Sequence, residues 1–217
     1  MSVAENIKKI KAEIPAQVKL VAVTKTYPSE MIMEAYSAGH KIFGENKVQE
    51  LVKKYEELPK DIQWHLIGHL QTNKVKQIAP FVSLIHSVDS LKLLTEINKC
   101  AAKENRIIDC LLQIYIAKEE TKFGLSFEEA EALLQSEELK HLKNIRITGL
   151  MGMATLTDNE AQIRKEFHSL ETFCSSLKSQ YPLLNTLSFG MSSDYKIAIE
   201  EGSNLIRVGS LIFGNRQ

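Results

Sequence analysis

Lys25 closes the apolar run Leu20-Val21-Ala22-Val23-Thr24, and the turn Thr26-Tyr27-Pro28 follows it at once. A lysine at the C-terminal tip of a buried strand is partly desolvated, which favours the neutral amine and makes it a Schiff-base nucleophile. The alternative is a solvated lysine that only ends a strand. A second group of residues bears on the choice. Ser192 and Ser193 directly precede a short helical segment at Asp194, and Gly209-Ser210 begins a terminal helical stub in the same way. Hydroxyls and backbone N–H groups at helix starts suit a phosphate, and a glycine lets the backbone come close to an anion. Either loop alone reads as an N-cap or a turn; together they read as an anion site.

Such residues need a frame that brings the ends of distant segments together. Strand-type runs at 20–24, 41–44, 62–67, 82–86, 107–116 (the longest), 145–150, 186–189 and 205–208 alternate with helix-type segments, after an N-terminal helix at about 4–13. The helices fall at 29–38, 47–57, 72–79, 91–103, from 126 onward, 157–179, 194–201 and 211–214. Ser126 with Glu129 forms a capping box, and Thr157 with Glu160 offers another. Strict alternation implies a parallel sheet with helical crossovers. Eight pairs are the number that closes a (β/α)8 barrel, and about 200 residues is the small end of that fold's range. An open doubly wound sheet is the alternative if a weak run is miscounted. No Gly-x-Gly-x-x-Gly follows the first strand, which argues against the dinucleotide-binding form. A barrel does its chemistry at the C-terminal strand ends. Those ends carry Lys25, Asn46, His65 with His69, His86 with Asp89, the loop 117–124, Met151 with Met153, Ser192-Ser193, and Arg207 with Gly209-Ser210.

The chain has 217 residues and no Gly/Ser/Pro-rich linker, so one domain over 1–217 is expected. Its 27 basic and 27 acidic residues cancel, leaving no basic surplus for nucleic acid. No run approaches a membrane span, and residues 1–15 form a polar, lysine-rich stretch rather than a signal sequence. Cys100, Cys110 and Cys174 are odd in number and lack metal-ligand spacing, which reads as free thiols in a reducing cytoplasm. His65 and His69 are spaced i, i+4 across a strand end and a glycine, not along a helix, which argues against a zinc pair. Tyr195, beside the serine loop, is a candidate to touch a bound group. A lysine facing a phosphate site admits two chemistries: an aldolase-type Schiff base with a sugar phosphate, or pyridoxal 5′-phosphate (PLP) held as an internal aldimine. Composition leaves both open.

Six segments occur in order over nearly the whole chain: Val21-Ala-Val-Thr-Lys25-Thr, Phe43-Gly-Glu-Asn46-Lys-Val-Gln-Glu50, Trp64-His-Leu-Ile-Gly-His69-Leu-Gln-Thr-Asn-Lys74, Gly149-Leu-Met151, Ser188-Phe-Gly-Met-Ser-Ser193-Asp and Ile206-Arg-Val-Gly209. Together they resemble the pyridoxal phosphate homeostasis proteins, relatives of the barrel domain of alanine racemase. The resemblance implies a modified (β/α)8 barrel with an N-terminal helix and PLP linked to Lys25. Ser192, Ser193, Gly209 and Ser210 would hold the phosphate, Arg207 would face the pyridine nitrogen, and Asn46, His65 and Met151 would border the cofactor. Lys122 matches the family's second lysine, an alternative PLP acceptor. Tyr27 departs from many members and carries no assigned function.

The same resemblance bears on activity. An arginine cannot accept the proton of a pyridinium, so the ring nitrogen would stay neutral and stabilise carbanions weakly. Racemases of this class add a second acid/base residue, a tyrosine from a C-terminal β domain. With the chain read as ending at Gln217, that domain is not expected here, and the racemase signature is replaced by Lys25-Thr-Tyr-Pro. The expectation is a cytoplasmic, monomeric PLP carrier that passes its cofactor to apo PLP-dependent enzymes, without efficient catalysis. A low-activity amino-acid racemase and a lysine Schiff-base aldolase are the alternatives.

Overall fold

Eight parallel strands close into a barrel in sequence order, in a computed structural model that describes residues 2–117 and 123–214. They are β1 (Lys19–Val23), β2 (Ile42–Glu45), β3 (Gln63–Leu66), β4 (Leu84–Val88), β5 (Ile108–Gln113), β6 (Ile145–Met151), β7 (Thr186–Ser188) and β8 (Leu205–Val208). β8 returns to β1 in parallel, with Leu20 opposite Ile206 and Ala22 opposite Val208, which closes the ring and removes every sheet edge. The helices are α1 (Val3–Glu13), α2 (Ser29–Ser37), α3 (Val48–Glu57), α4 (Val75–Ile78), α5 (Leu91–Lys103), α6 (Phe127–Gln135), α7 (Glu137–Lys140), α8 (Glu160–Leu177), α9 (Tyr195–Glu200) and α10 (Ser210–Phe213). The open doubly wound sheet is thereby excluded. No helix among the described residues is long and apolar enough to cross a membrane.

Alternation along each strand divides the side chains between two cores. Phe43, Trp64, Leu66, Ile85 and Cys110 face outward and pack with the helices in the main cluster. Val21, Leu84, Leu111, Met151 and Leu205 form a smaller cluster, which fills the inside of the barrel. Polar side chains share that interior: His65, His86, Ser188 and Arg207 are all buried.

Several boundaries differ from the sequence reading. β6 is the longest strand, because β5 ends at Gln113 and Ile114 onward turns away to bridge Leu125. β4 lies two residues further on than 82–86, since Val82 still bonds back to Ile78 at the end of α4. The segment 72–79 splits into a 3-10 turn, Thr72–Lys74, and α4. Ser126 caps α6 through the expected box with Glu129, whereas α8 is capped by Asn159, whose side chain accepts from the Gln162 amide, and not by Thr157. His40 is buried, with Nε2 against the Ile42 carbonyl at 2.9 Å.

Candidate functional site

At the C-terminal mouth of the barrel a cavity of about 870 Å3 is lined by Lys25, Asn46, Ser192, Ser193, Arg207, Gly209 and Ser210. These seven residues come from four strand ends, β1, β2, β7 and β8, which the closed ring brings together.

Lys25 is half-buried and sits in a turn that α3 holds from both sides. Lys54, on the buried face of α3, donates to the Thr24 carbonyl at 2.7 Å and to Glu45 Oε1 at 2.5 Å. The Thr24 hydroxyl donates to the same carboxylate oxygen at 2.6 Å. On the far side of Lys25, the Thr26 amide donates to Glu50 at 3.0 Å. Thr26 has φ of +70°, the left-handed region that a β-branched residue adopts at a cost of about 1–3 kcal/mol. Glu45, Glu50 and Lys54 therefore form a clamp: Glu45 holds the Thr24 hydroxyl and Lys54 its carbonyl before the lysine, and Glu50 holds the Thr26 amide after it. Glu45 is fully buried, and desolvation raises its pKa although Lys54 and Thr24 pull the other way. Tyr27 completes the turn. Its hydroxyl donates to the Gly214 carbonyl at 2.6 Å and its ring packs on Phe213, tying α10 to the lysine loop.

Across the cavity, the two loops expected to bind an anion meet: the Gly209 amide donates to the Ser192 hydroxyl at 3.3 Å. Asp194 folds the serine loop by accepting from the Met191 amide at 2.5 Å. Arg207 rises beside these loops from the barrel interior. Its Nη1 donates to the Ser188 carbonyl and hydroxyl, both at 2.7 Å, and its Nη2 donates to the Gly152 carbonyl at 3.1 Å. Burial lowers its pKa to about 10, which still leaves the guanidinium charged at neutral pH. Gly68 makes the approach of β3's loop to Asn46 possible. A Cβ there would meet the Asn46 carbonyl oxygen at 2.4 Å and its Cα at 2.8 Å. Gly68→Ala should displace Asn46 and cost about 1–3 kcal/mol of stability, measured as a lowered denaturant midpoint.

His65 and Met151 do not line this cavity. His65 points into the barrel, where its Nδ1 meets His86 Nε2 at 2.9 Å, and it reaches the cavity at the opposite mouth. Met151 is 1 % exposed, packed with Leu84 and Leu111 inside the barrel. Met153, two residues on, lines the cavity in its place. Tyr195 is turned away: it is buried, its hydroxyl donates to Glu13 at 2.8 Å, and burial with that contact raises its pKa to about 12. Lys122 lies outside the described residues. Gln113, His69 and Phe123 also line the cavity. Gln113 Nε2 donates to the Phe123 carbonyl at 2.8 Å, and the His69 and Phe123 rings stack at 4.7 Å. The signal for His69 was its place in the long Trp64-to-Lys74 motif; nothing in the sequence marked Gln113, an amide at the end of an apolar strand. Among the described residues, no group of three or more metal-ligating side chains is placed to hold an ion.

Ring closure, a lysine at the mouth and facing anion loops define a class of protein, the lysine-bearing parallel barrels. A family model described as alanine racemase, N-terminal domain, matches residues 1–217. A pyridoxal phosphate homeostasis protein of Aquifex aeolicus is 43% identical over 92% of this chain and 87% of its own length. The protein of that name from Escherichia coli strain K12 is 35% identical over 93% and 87%. The chain belongs to the alanine racemase N-terminal domain family and, within it, to the pyridoxal phosphate homeostasis proteins. Two structures of PipY from Synechococcus elongatus, one without PLP and one with PLP bound, are 37% identical. They cover 98% of this chain and 100% of theirs, with TM-scores of 0.92 and 0.89. An alanine racemase of Clostridium difficile matches at a TM-score of 0.83 but 15% identity, over 57% of its length, a likeness of fold alone.

Proposed function

We propose that this protein holds pyridoxal 5′-phosphate on Lys25 and acts as a carrier of the cofactor. The observation that carries the reading is one cavity with three elements: a lysine in a clamped turn, the paired Ser192 and Gly209 loops, and the buried Arg207. The residues fit the group. A phosphate needs N–H and O–H donors, which Ser192, Ser193, Gly209 and Ser210 supply, and an unprotonated ring nitrogen needs a donor, which Arg207 supplies. Asn46 borders the same space. Bound there, the cofactor would supply an aldehyde, and Lys25 Nζ is the amine that would hold it.

A carrier role, rather than turnover, follows from the lining. Among the described residues around the cavity none is a tyrosine, and the titratable groups beside Lys25 are His69, at the rim and 3.5 Å from Asp89, and Arg207. An arginine keeps the ring nitrogen neutral, which weakens carbanion chemistry. A reactive aldehyde kept on a lysine is withheld from other proteins until an apoenzyme takes it, so the reading extends to delivery by a monomer in the cytoplasm. Lys122, a neighbour of Phe123 in sequence, is the candidate for a second acceptor.

Absorbance of the protein mixed with PLP, followed by borohydride reduction and peptide mapping, tests the reading. The expected result is an adduct on Lys25 that disappears in Lys25→Ala. A protein that takes up no PLP, or an adduct unaffected by that substitution, would overturn it. Racemisation of a common amino acid at about 1 s⁻¹ or faster would replace the carrier with an enzyme.

A further inference from the structure

Arg207 is the last member of a hydrogen-bonded chain that runs the length of the barrel. Its Nη1 donates to Ser188 Oγ at 2.7 Å, Ser188 Oγ lies 2.9 Å from His86 Nδ1, and His86 Nε2 lies 2.9 Å from His65 Nδ1. All four side chains are buried: Ser188 and His86 completely, Arg207 to 4 % exposure and His65 to 7 %. His65 then opens on the cavity of about 460 Å3 at the N-terminal mouth, beside Lys19, Gln63 and Asp109. The anion loops and Lys25 do not use these two histidines.

The chain has one direction. A guanidinium only donates, so Ser188 Oγ accepts from Arg207. Its single proton is then free for His86 Nδ1. Were Nδ1 to carry a proton instead, the serine hydroxyl would accept twice, and its own buried hydrogen would have no acceptor among the described residues. His86 is therefore protonated on Nε2 and donates to His65 Nδ1, and His65 carries its proton on Nε2. Ser188 and His86 then each give one bond and receive one, an arrangement in which each bond strengthens the next. Both rings are neutral: burial holds His65 down to about 3 and His86 well below its usual value, and the Arg207 charge adds to the effect on His86.

We propose that Ser188, His86 and His65 are positioning residues for Arg207, a neutral relay that fixes its guanidinium so that Nε–H and the second Nη2–H are left for a ring nitrogen in the cavity. Among the described residues, the bonds of Arg207 use both Nη1 hydrogens and one of Nη2, which leaves those two. The part of this that concerns a ring nitrogen rests on PLP binding as read above.

Nitrogen-15 spectra of the histidine rings, recorded without PLP, test the relay by itself. The expected result is the Nε2–H tautomer at both His65 and His86. Ser188→Ala, which removes one small hydroxyl, should shift the His86 ring signals as Nδ1 loses its donor, and Ser188→Thr should restore them. An Nδ1–H tautomer at His86, or ring signals unmoved by Ser188→Ala, would refute the relay. With ring-nitrogen-labelled PLP, Ser188→Ala and His86→Phe should shift the pyridine signal while the borohydride-fixed adduct on Lys25 persists. An unmoved pyridine signal alongside an intact adduct would refute the positioning role. Failure of the wild-type protein to bind PLP would sink the carrier reading alone and leave the tautomer result standing.

Discussion

Lys54→Met should lower the stability of the barrel by about 3–5 kcal/mol and disorder the turn that carries Lys25. Lys54 Nζ makes the closest approach to Glu45 Oε1 and also satisfies the Thr24 carbonyl. The Glu45 side chain is fully buried, and its Oε2 has no hydrogen-bond partner among the described residues. Methionine matches the stem of lysine but leaves a carboxylate in a dry site with only the Thr24 hydroxyl beside it. The carboxylate must then stay charged without a cation or take up a proton, and either is unfavourable at neutral pH. Removing both charges, as Glu45→Met with Lys54→Met, should recover most of the loss, because desolvation of the pair offsets much of its attraction. Urea unfolding of the single and double variants decides the point. A loss under about 1 kcal/mol in the single variant, or no recovery in the double, would mean the pair is not the clamp described here. The functional consequence follows from position: Thr24 loses a donor just before Lys25, and the strained Thr26 keeps only Glu50. PLP uptake at Lys25 should weaken in the single variant more than its fractional unfolding accounts for.

The barrel was legible because its signal is redundant. Eight apolar runs alternating with helix-type segments point to the same answer even when single boundaries slip, and here they slipped by one to three residues without changing the count. Lys25 and the serine and glycine loops were legible because they end strands or precede helices. What the pattern could not supply was height along the barrel axis. A period of two tells which face a residue occupies, but consecutive residues on that face differ by about 6.6 Å, a whole layer of the interior. His65 and Met151 are on the inner face, as expected, yet one layer too deep to reach the cavity; His69, in the loop beyond β3, and Met153 reach it instead. His86 looked like a strand end only because β4 was placed two residues early. Its true place, mid-strand with Ser188 across the barrel, requires the closed ring and is invisible to any local reading. The roles of Glu45, Glu50 and Lys54 were hidden for a related reason. Glu45 and Glu50 lie in a motif that identified the family and Lys54 just beyond it, but their contacts with Thr24 and Thr26 link β2 and α3 to the end of β1, across more than twenty residues.

Stability should fall steeply as pH drops from about 6 to 4.5, and three buried histidines set the slope. His40 is depressed to about 4 by burial, with Lys11 adding to it, His65 to about 3, and His86 well below its usual 6.5. A histidine whose folded pKa is depressed stabilises the fold above its unfolded pKa. That stability is lost as pH falls, because the unfolded chain takes up protons the fold refuses. Each such group contributes up to about 1.4 kcal/mol per pH unit across the window, so the three together remove several kcal/mol as pH falls from 6. That is comparable to the whole stability of an ordinary domain, about 5–15 kcal/mol. Glu45, whose pKa is raised, acts in the opposite sense and trims the loss. Exposed carboxylates lowered by their partners, such as Asp61 beside Lys41, begin to matter only at lower pH, and salt screens them. Urea midpoints at half-unit pH steps measure the slope. His40→Gln offers the cleanest check, since His40 is not part of the Arg207–Ser188–His86–His65 chain and its ring bonds the Ile42 carbonyl, which an amide can still satisfy. It should reduce the slope by about 1.4 kcal/mol per pH unit and leave PLP binding unchanged. A flat stability profile above pH 4.5, or His65 and His86 ring signals titrating near 6.5, would contradict the buried neutral pair on which both this slope and the orientation of Arg207 depend.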